Sequence, residues 1–338
     1  MIEEKMRAAK FVGESKIVIE KKTVQMPAEG QLLIRIAGNA LCGSERGQFL
    51  RGAHVTPGHE AAGEVVAAGP GTRTPVGTNG AVFLMDFCGE CRNCRQGATN
   101  QCLHKRGDMG FNRDGGYAEY ELVNENVFFA SGEIAGADGT LLLDIMGTGG
   151  HAVGRGLLVH RDVQSVLVCG AGPIGLGVLA MAKLLLGNLP VAITDVVPYR
   201  LALAEQLGGL PIDLKRTTVD AGLKRHGLER VDLAIDTSGK EVARQAGLDA
   251  LDKRGALVLV GHGEGIKMDV SSQMIAPERA VLGSEYFRFD ELPANLELLR
   301  HNRDYLRQII THRFPLADIQ HAFELFFKGD SGKVVIEP

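Results

Sequence analysis

The pattern of apolar and polar positions changes character partway along the chain. Up to about residue 145 the apolar runs are short and broken by glycine and proline. Residues 31–37 (QLLIRIA) and 63–68 (GEVVAA) have the length and β-branched content of strands, and 115–123 (GGYAEYELV) alternates aromatic and polar positions. This stretch is predicted to be mostly β, with irregular loops. From about residue 163 continuous apolar runs alternate with helical periodicity. Strands are predicted at 164–169, 191–194, 231–235 and 256–260, with a further one at 279–284. The intervening helices run to 186 and over 199–207 and 242–251, and the tail offers a helix at 319–327 and a strand at 333–336. Strands that are apolar throughout are buried on both faces, so this half predicts a parallel, doubly wound βαβ sheet. The fold class is α/β: a mostly-β domain plus a parallel-sheet domain. No internal repeat or low-complexity segment interrupts it.

Length and composition narrow the class. The 338 residues suit two domains, each able to bury a core without disulfide staples. With 45% apolar and 23% charged residues, the chain is neither disordered, nor a coiled coil, nor collagen. A net charge of −4 and a pI near 6.2 argue against a nucleic-acid partner, which demands a basic face. No apolar run reaches the ~18 residues of a membrane span. The charged N-terminus lacks the apolar core of a secretory signal, so a cytoplasmic protein is expected. Glycine, at 44 residues, is well above its ordinary share of about 7%.

The turn after the first long apolar strand reads Gly170-Ala171-Gly172-Pro173-Ile174-Gly175. A lone GxGxxG is weak evidence in a glycine-rich chain, but this one closes a strand and opens a helix. That context fits a dinucleotide site: one glycine for the tight turn, one for approach of the pyrophosphate, one for helix packing. Asp195 follows twenty residues after Gly175, where a carboxylate accepts the ribose hydroxyls of NAD and repels the 2′-phosphate of NADP. Val196 and Val197 supply no compensating base. Arg200, one turn further, is placed to pack on adenine or to bind a phosphate.

Four of the six cysteines crowd into fifteen residues as Cys88-x2-Cys91-x2-Cys94-x7-Cys102. Four thiolates at this spacing suit a closed tetrahedral zinc site of structural type. An iron–sulfur cluster needs a redox partner that is not apparent, and disulfides remain the other reading. Arg92, Arg95, Lys105 and Arg106 around the lobe read as a solvated basic face. Separately, Cys42-Gly43-Ser44-Glu45-Arg46 and Gly58-His59-Glu60 bring a thiol, an imidazole and carboxylates near glycines, a set suited to a mixed-ligand zinc site with an open position.

Taken in order, Cys42-Gly43-Ser44, Gly58-His59-Glu60, the four-cysteine lobe, Gly115-Gly116-Tyr117-Ala118-Glu119-Tyr120, Gly170 to Gly175 and Gly332-Lys333-Val334-Val335 resemble a zinc-containing medium-chain alcohol dehydrogenase of the polyol and threonine dehydrogenase branch. The resemblance covers almost the whole chain. It implies a GroES-like mostly-β catalytic domain over 1–147 and 286–338, and a Rossmann NAD-binding domain over 148–285. It implies two zinc ions per chain, with Cys42 and His59 as catalytic ligands and Glu60 as an inner or exchanging one. Asp144, seven residues before His151, takes the remaining ligand position; Cys169 is a rival thiol that ends a strand and reads as core. Ser44 matches the family's proton-relay hydroxyl, though it could equally cap a helix starting at Glu45. Two departures stand out: Glu45 replaces the usual Asp, and Gly47 occupies the position of the relay histidine, leaving ribose and water, His54 or His151 to carry the proton.

The function expected from this resemblance is hydride transfer between NAD and a secondary alcohol of a polyol, sugar-like or cyclitol substrate. Ser44, Glu45, Arg46, Asn112 and Arg113 are expected near a hydroxyl-rich ligand. The absence of Trp and an aromatic content of 5% disfavour a large aromatic pocket. L-threonine 3-dehydrogenase, aldose 1-dehydrogenase and a non-catalytic protein of the same fold are the rivals. A homodimer or homotetramer, paired through an edge near 279–284, is implied.

Overall fold

A computed structural model describes residues 2–338. The first stretch forms strands β1 (Lys5–Gly13), β2 (Lys16–Thr23), β3 (Gln31–Ala40), β4 (Ala61–Ala68), β5 (Asn79–Val82), β6 (Met85–Asp86), β7 (Gly107–Asp108), β8 (Tyr120–Asn124) and β9 (Phe128–Ala130), with short helices α1 (Arg46–Arg51) and α2 (Arg92–Arg95). The middle stretch runs α3 (Gly149–Leu157), β10 (Val166–Cys169), α4 (Pro173–Leu186), β11 (Val191–Asp195), α5 (Pro198–Gln206), β12 (Leu210–Asp213), α6 (Val219–Arg225), β13 (Val231–Asp236), α7 (Glu241–Ala250), β14 (Leu251–Leu259) and β15 (Ala280–Gly283). The tail adds α8 (Leu292–Arg307), β16 (Ile310–Pro315), α9 (Ile319–Lys328) and β17 (Lys333–Glu337). Two compact units result: residues 2–143, 288–328 and 333–338 in one, and 144–287 with 329–332 in the other.

In the first unit a seven-stranded sheet has the order β16-β17-β3-β4-β5-β9, with β8 also pairing β3. All its pairs are antiparallel except β16 with β17. Strand β3 is central, and Leu32, Leu33, Ile34 and Ile36 are buried along it. Aromatic residues are few, but they concentrate here. Phe11 meets Phe323 at 5.0 Å edge-on and stacks on Tyr117 at 6.1 Å, while Phe49 stacks on Phe323 at 5.5 Å. Edge-on and offset rings at such distances add to the stability gained from burial alone. The tail supplies half of this core: Ile319, Phe323, Phe326, Val334 and Ile336 are all buried.

In the second unit six parallel strands have the order β12-β11-β10-β13-β14-β15. This is the doubly wound order with a switch point between β10 and β13. Val166, Leu167 and Val168 are fully buried because helices cover both faces of the sheet, which is why that run carries no polar alternation. Strand β15 lies at the sheet edge.

Two predicted elements shift. The strand expected at 115–123 begins only at Tyr120. Residues 115–117 pair instead with the 56–58 loop: the N–H groups of Gly115, Gly116 and Tyr117 donate to the carbonyls of Thr56, Gly58 and Pro57. A Cβ on Gly115 would stand 2.0 Å from the Gly58 carbonyl oxygen, so these glycines serve close backbone approach rather than a strand. Strand β14 begins at Leu251, earlier than the predicted 256, because Asp252, Lys253 and Arg254 continue it as exposed positions that an apolar pattern does not register.

Candidate active site and metal centres

The glycine loop lies between β10 and α4, with Gly172 as the N-cap and Pro173 at the first helical position. Gly170 has φ +103°, and a Cβ on Gly175 would fall 1.8 Å from the Gly170 carbonyl oxygen. The chain's own packing therefore demands glycine at both positions. Gly172 differs: a Cβ there would meet nothing closer than the Arg200 guanidinium at 3.9 Å. Nothing among the described residues crowds that position, which leaves the backbone there open to the close approach of a phosphate group. The Asp195 carboxylate is fixed to this loop. Its Oδ2 accepts from Ala171 N–H at 2.8 Å, and its Oδ1 accepts from Val196 and Val197 N–H at 2.7 and 2.9 Å. Ile174 and Arg200 are partly buried beside it.

The four-cysteine lobe brings together the Sγ atoms of Cys88, Cys91, Cys94 and Cys102, all within 4.8 Å of one another. Its framework is little more than the four-residue α2, whose N-cap is Cys91. Backbone N–H groups point at the sulfurs: Cys91 N–H donates to Cys88, Cys94 and Leu103 N–H to Cys91, and Cys88 N–H to Cys102. Donors of this kind favour the thiolate. They draw Cys91 down to about 6 and lower Cys88 as well. Burial pushes Cys94 up to about 12, a proton that a bound cation would displace. All four are free thiols rather than disulfides, and their donor set fits zinc. One expectation changes: Arg106 is not merely solvated, since its guanidinium donates to buried Asp86 at 2.7 and 3.0 Å, and Lys105 pairs with Asp108 at 2.8 Å.

The second cluster is fully buried. Ligand atoms of Cys42, His59, Glu60 and Asp144 lie within 4.8 Å of one another. Cys42 follows β3 and is the N-cap of a 3-10 turn, Gly43–Glu45. Gly58, at φ +104° and packed against Tyr117 N, turns the chain so that His59 and Glu60 precede β4. Asp144 opens a π-helical turn, Asp144–Thr148, and accepts from Thr148 Oγ1 at 3.0 Å. One thiol, one imidazole and two carboxylates at this spacing suit a divalent cation of zinc's kind.

A layer of residues whose supporting role the sequence pattern did not reveal backs these donors. Glu45 is 0% exposed, and its Oε1 is 2.9 Å from His59 Nδ1. Its Oε2 accepts from Tyr117 OH at 2.6 Å and from Cys42 N–H at 3.3 Å. Burial, then the Glu45 charge, holds the Tyr117 hydroxyl well above its usual range, so it remains a donor. Lys333, 1% exposed, forms an ion pair with Glu60. In sequence it stood out only as part of Gly332-Lys333-Val334-Val335, a lone charge at the start of an apolar run, with nothing to mark Glu60 as its partner.

The structure changes the expectations for Glu45 and Ser44. Glu45 is buried against the His59 ring rather than exposed on the surface. Ser44 caps no helix: it lies exposed inside the 3-10 turn, whose cap is Cys42. Arg46 spreads over the Phe327 ring at 5.3 Å. Arg113 donates to the Arg106 carbonyl, and Asn112 Oδ1 accepts from Asp108 N–H at 2.7 Å, both on exposed loop positions. His54 is exposed and His151 partly buried. Cys169 is buried, and its thiol is pushed up to about 12, as suits a core residue.

Comparison with known proteins accords with this geometry. Residues 28–132 match the family described as alcohol dehydrogenase GroES-like domain, and residues 173–301 match zinc-binding dehydrogenase. The chain is 30% identical to an uncharacterised zinc-type alcohol dehydrogenase-like protein, YphC, of Escherichia coli strain K12, over 98% of each. It is 31% identical to an L-threonine 3-dehydrogenase of Coxiella burnetii, over 94% of this chain and 95% of that one. Among solved structures, 2R,3R-butanediol dehydrogenase from Bacillus subtilis superposes with a TM-score of 0.84 at 26% identity, covering 98% of this chain and 99% of that one.

Proposed function

Because this chain belongs to the zinc-dependent medium-chain alcohol dehydrogenases, an oxidoreductase family acting on CH–OH groups with a nicotinamide cofactor, we propose that it oxidises a secondary alcohol of a polyol, sugar-like or cyclitol substrate with NAD. The buried Cys42, His59, Glu60 and Asp144 cluster carries the reading. The substrate class draws support from two relatives, whose names specify a vicinal diol and a β-hydroxy amino acid: each is a secondary alcohol beside a second polar group. Threonine is accordingly the second reading.

Cys42, His59 and Asp144 would hold the catalytic zinc, with Glu60 alongside. Cys88, Cys91, Cys94 and Cys102 would hold a structural one. Zinc bound among the first set supplies positive charge that lowers the pKa of a substrate hydroxyl toward neutrality. NAD supplies the hydride acceptor. The residues do the rest. Glu45 engages His59 Nδ1, which would leave Nε2 for the metal, and Tyr117 pins Glu45 in turn. Lys333 offsets one carboxylate charge beside the cluster and, by pairing with Glu60, would compete with the metal for that carboxylate. Ser44, exposed two residues after Cys42, hands the alcohol proton toward solvent. At the cofactor, Asp195 Oδ2 has a single protein donor, so it is the oxygen left to accept from ribose. Residues 148–285 form the nucleotide domain in this reading, and 1–147 with 286–338 the catalytic one.

The test is NAD reduction across polyols, amino alcohols, aldoses and simple alcohols, with metal analysis. Two zinc ions per chain and turnover of vicinal hydroxyl substrates are expected, and Cys42→Ser abolishes turnover while NAD still binds. Zinc in the four-cysteine lobe alone would reject the reading.

A further inference from the structure

We propose that Arg51 is a specificity-determining residue that receives an anionic substituent, carboxylate or phosphate, of the alcohol substrate. This rests on the dehydrogenase reading above and deepens it. In α1 and the turn before it, Glu45 and Phe49 are buried, Gln48 donates to the Gly110 carbonyl at 2.7 Å, and Arg46 covers Phe327. Ser44, Gly47 and Arg51 fall at i, i+3 and i+7 and so share another face of this segment. Helical side chains lean toward the N-terminus, so Arg51 leans back along that face toward Ser44. The geometry bears this out: a Cβ at Gly47 would stand 2.7 Å from Arg51 Nη2 and 3.4 Å from its Cζ. The guanidinium thus fills the space that any side chain at position 47 would need.

Arg51 is exposed, and among the described residues no carboxylate pairs with it and no acceptor takes its N–H groups. The other arginine of this segment, Arg46, turns instead over the Phe327 ring. A guanidinium without a partner presents a planar fork of donors that matches carboxylate or phosphate oxygens two at a time. It cannot serve as a proton relay, because it does not deprotonate near neutral pH. Position 47 therefore gives up an imidazole and gains room for a fixed positive charge beside it, three residues after Ser44.

The experiment compares steady-state NAD reduction by the full-length wild type, Arg51→Ala, Arg51→Lys and Gly47→Ala. Substrates are matched pairs: a polyol against its monophosphate, and a polyol against the corresponding sugar acid. Wild type should prefer the anionic member of one pair, and which pair distinguishes phosphate from carboxylate. Arg51→Ala should raise KM for that member about ten- to a hundred-fold, at least ten-fold more than for the neutral one, with KM for NAD moving far less. Arg51→Lys should restore part of the loss. Gly47→Ala, sterically ordinary in a helix, should reproduce several-fold of the effect by displacing the guanidinium while Arg51 is still present. Higher ionic strength should weaken only the anionic preference. Equal loss for both members, or loss confined to KM for NAD, would overturn the proposal. If no alcohol reduces NAD, the dehydrogenase reading fails instead. Calorimetry with inorganic phosphate then decides Arg51 separately, since wild type binding no more tightly than Arg51→Ala rejects it.

Discussion

Glu121 shows how one side chain can carry a pH dependence. It lies on β8, 2% exposed, and neither carboxyl oxygen has a hydrogen-bond partner among the described residues. Burial, then the charge of Asp114, holds its carboxyl well above the usual range. The folded chain therefore binds this proton more tightly than the unfolded chain does. Its contribution is fully present below the unfolded value near 4.5 and declines as pH rises toward the folded value. Glu121→Gln keeps the shape and removes the ionisation. Melting temperatures of wild type and Glu121→Gln should diverge between pH 5 and 8, the variant gaining with pH; parallel curves would count against it. Cys42 and His59 were legible as a metal pair because few other roles explain that combination near glycines. Glu45 and Lys333 were not, since a carboxylate or an ammonium in sequence looks the same whether solvated or buried.

Among the elements, the turn between β10 and α4 separates structural from ligand-driven glycines. Gly172→Val adds a side chain where the chain has room, so folding should be little affected. NAD affinity should fall at least ten-fold, because the branched side chain stands where the pyrophosphate would rest. Isothermal titration alongside thermal melting separates the two effects, and unchanged affinity would contradict the cradle. Helix α8 is tied down differently. Asp138, 3% exposed, accepts from Arg303 at 2.6 Å and Arg307 at 2.8 Å, with Arg313 at 3.9 Å. Burial alone would raise its carboxyl, but the two guanidinium bonds outweigh that and hold it below the usual range. Asp138→Ala leaves three cations crowded together. Because they are partly exposed, a loss of about 2–3 kcal/mol is expected in urea unfolding at neutral pH. That difference should shrink as acid protonates Asp138 in the wild type.

On the scale of the whole molecule, chain order matters as much as composition. The tail returns to complete the first unit: β17 pairs with both β16 and β3, and α9 contributes Ile319, Phe323 and Phe326 to its core. Removing residues 309–338 strips that sheet of two strands and the cluster of Lys333. The truncated chain should lose near-ultraviolet circular dichroism from the aromatic core and fail to retain metal at Cys42. Native-like spectra from such a chain would argue against the shared core. Contacts between residues so far apart in sequence also favour slow folding, since loop closure precedes their reward.

The parallel sheet, the glycine turn with its following acid, and the four-cysteine lobe were written locally. Each depends on residues within a few dozen positions, and each has a spacing that few other structures use. The layer that tunes the chemistry was decided by tertiary structure alone. Tyr117 reaches Glu45 across 72 positions and Lys333 reaches Glu60 across 273. Arg51 acquires its place only because a glycine four residues earlier leaves space that folding then fills. Burial and pairing are properties of where chains cross, and no local pattern encodes which distant residue will arrive.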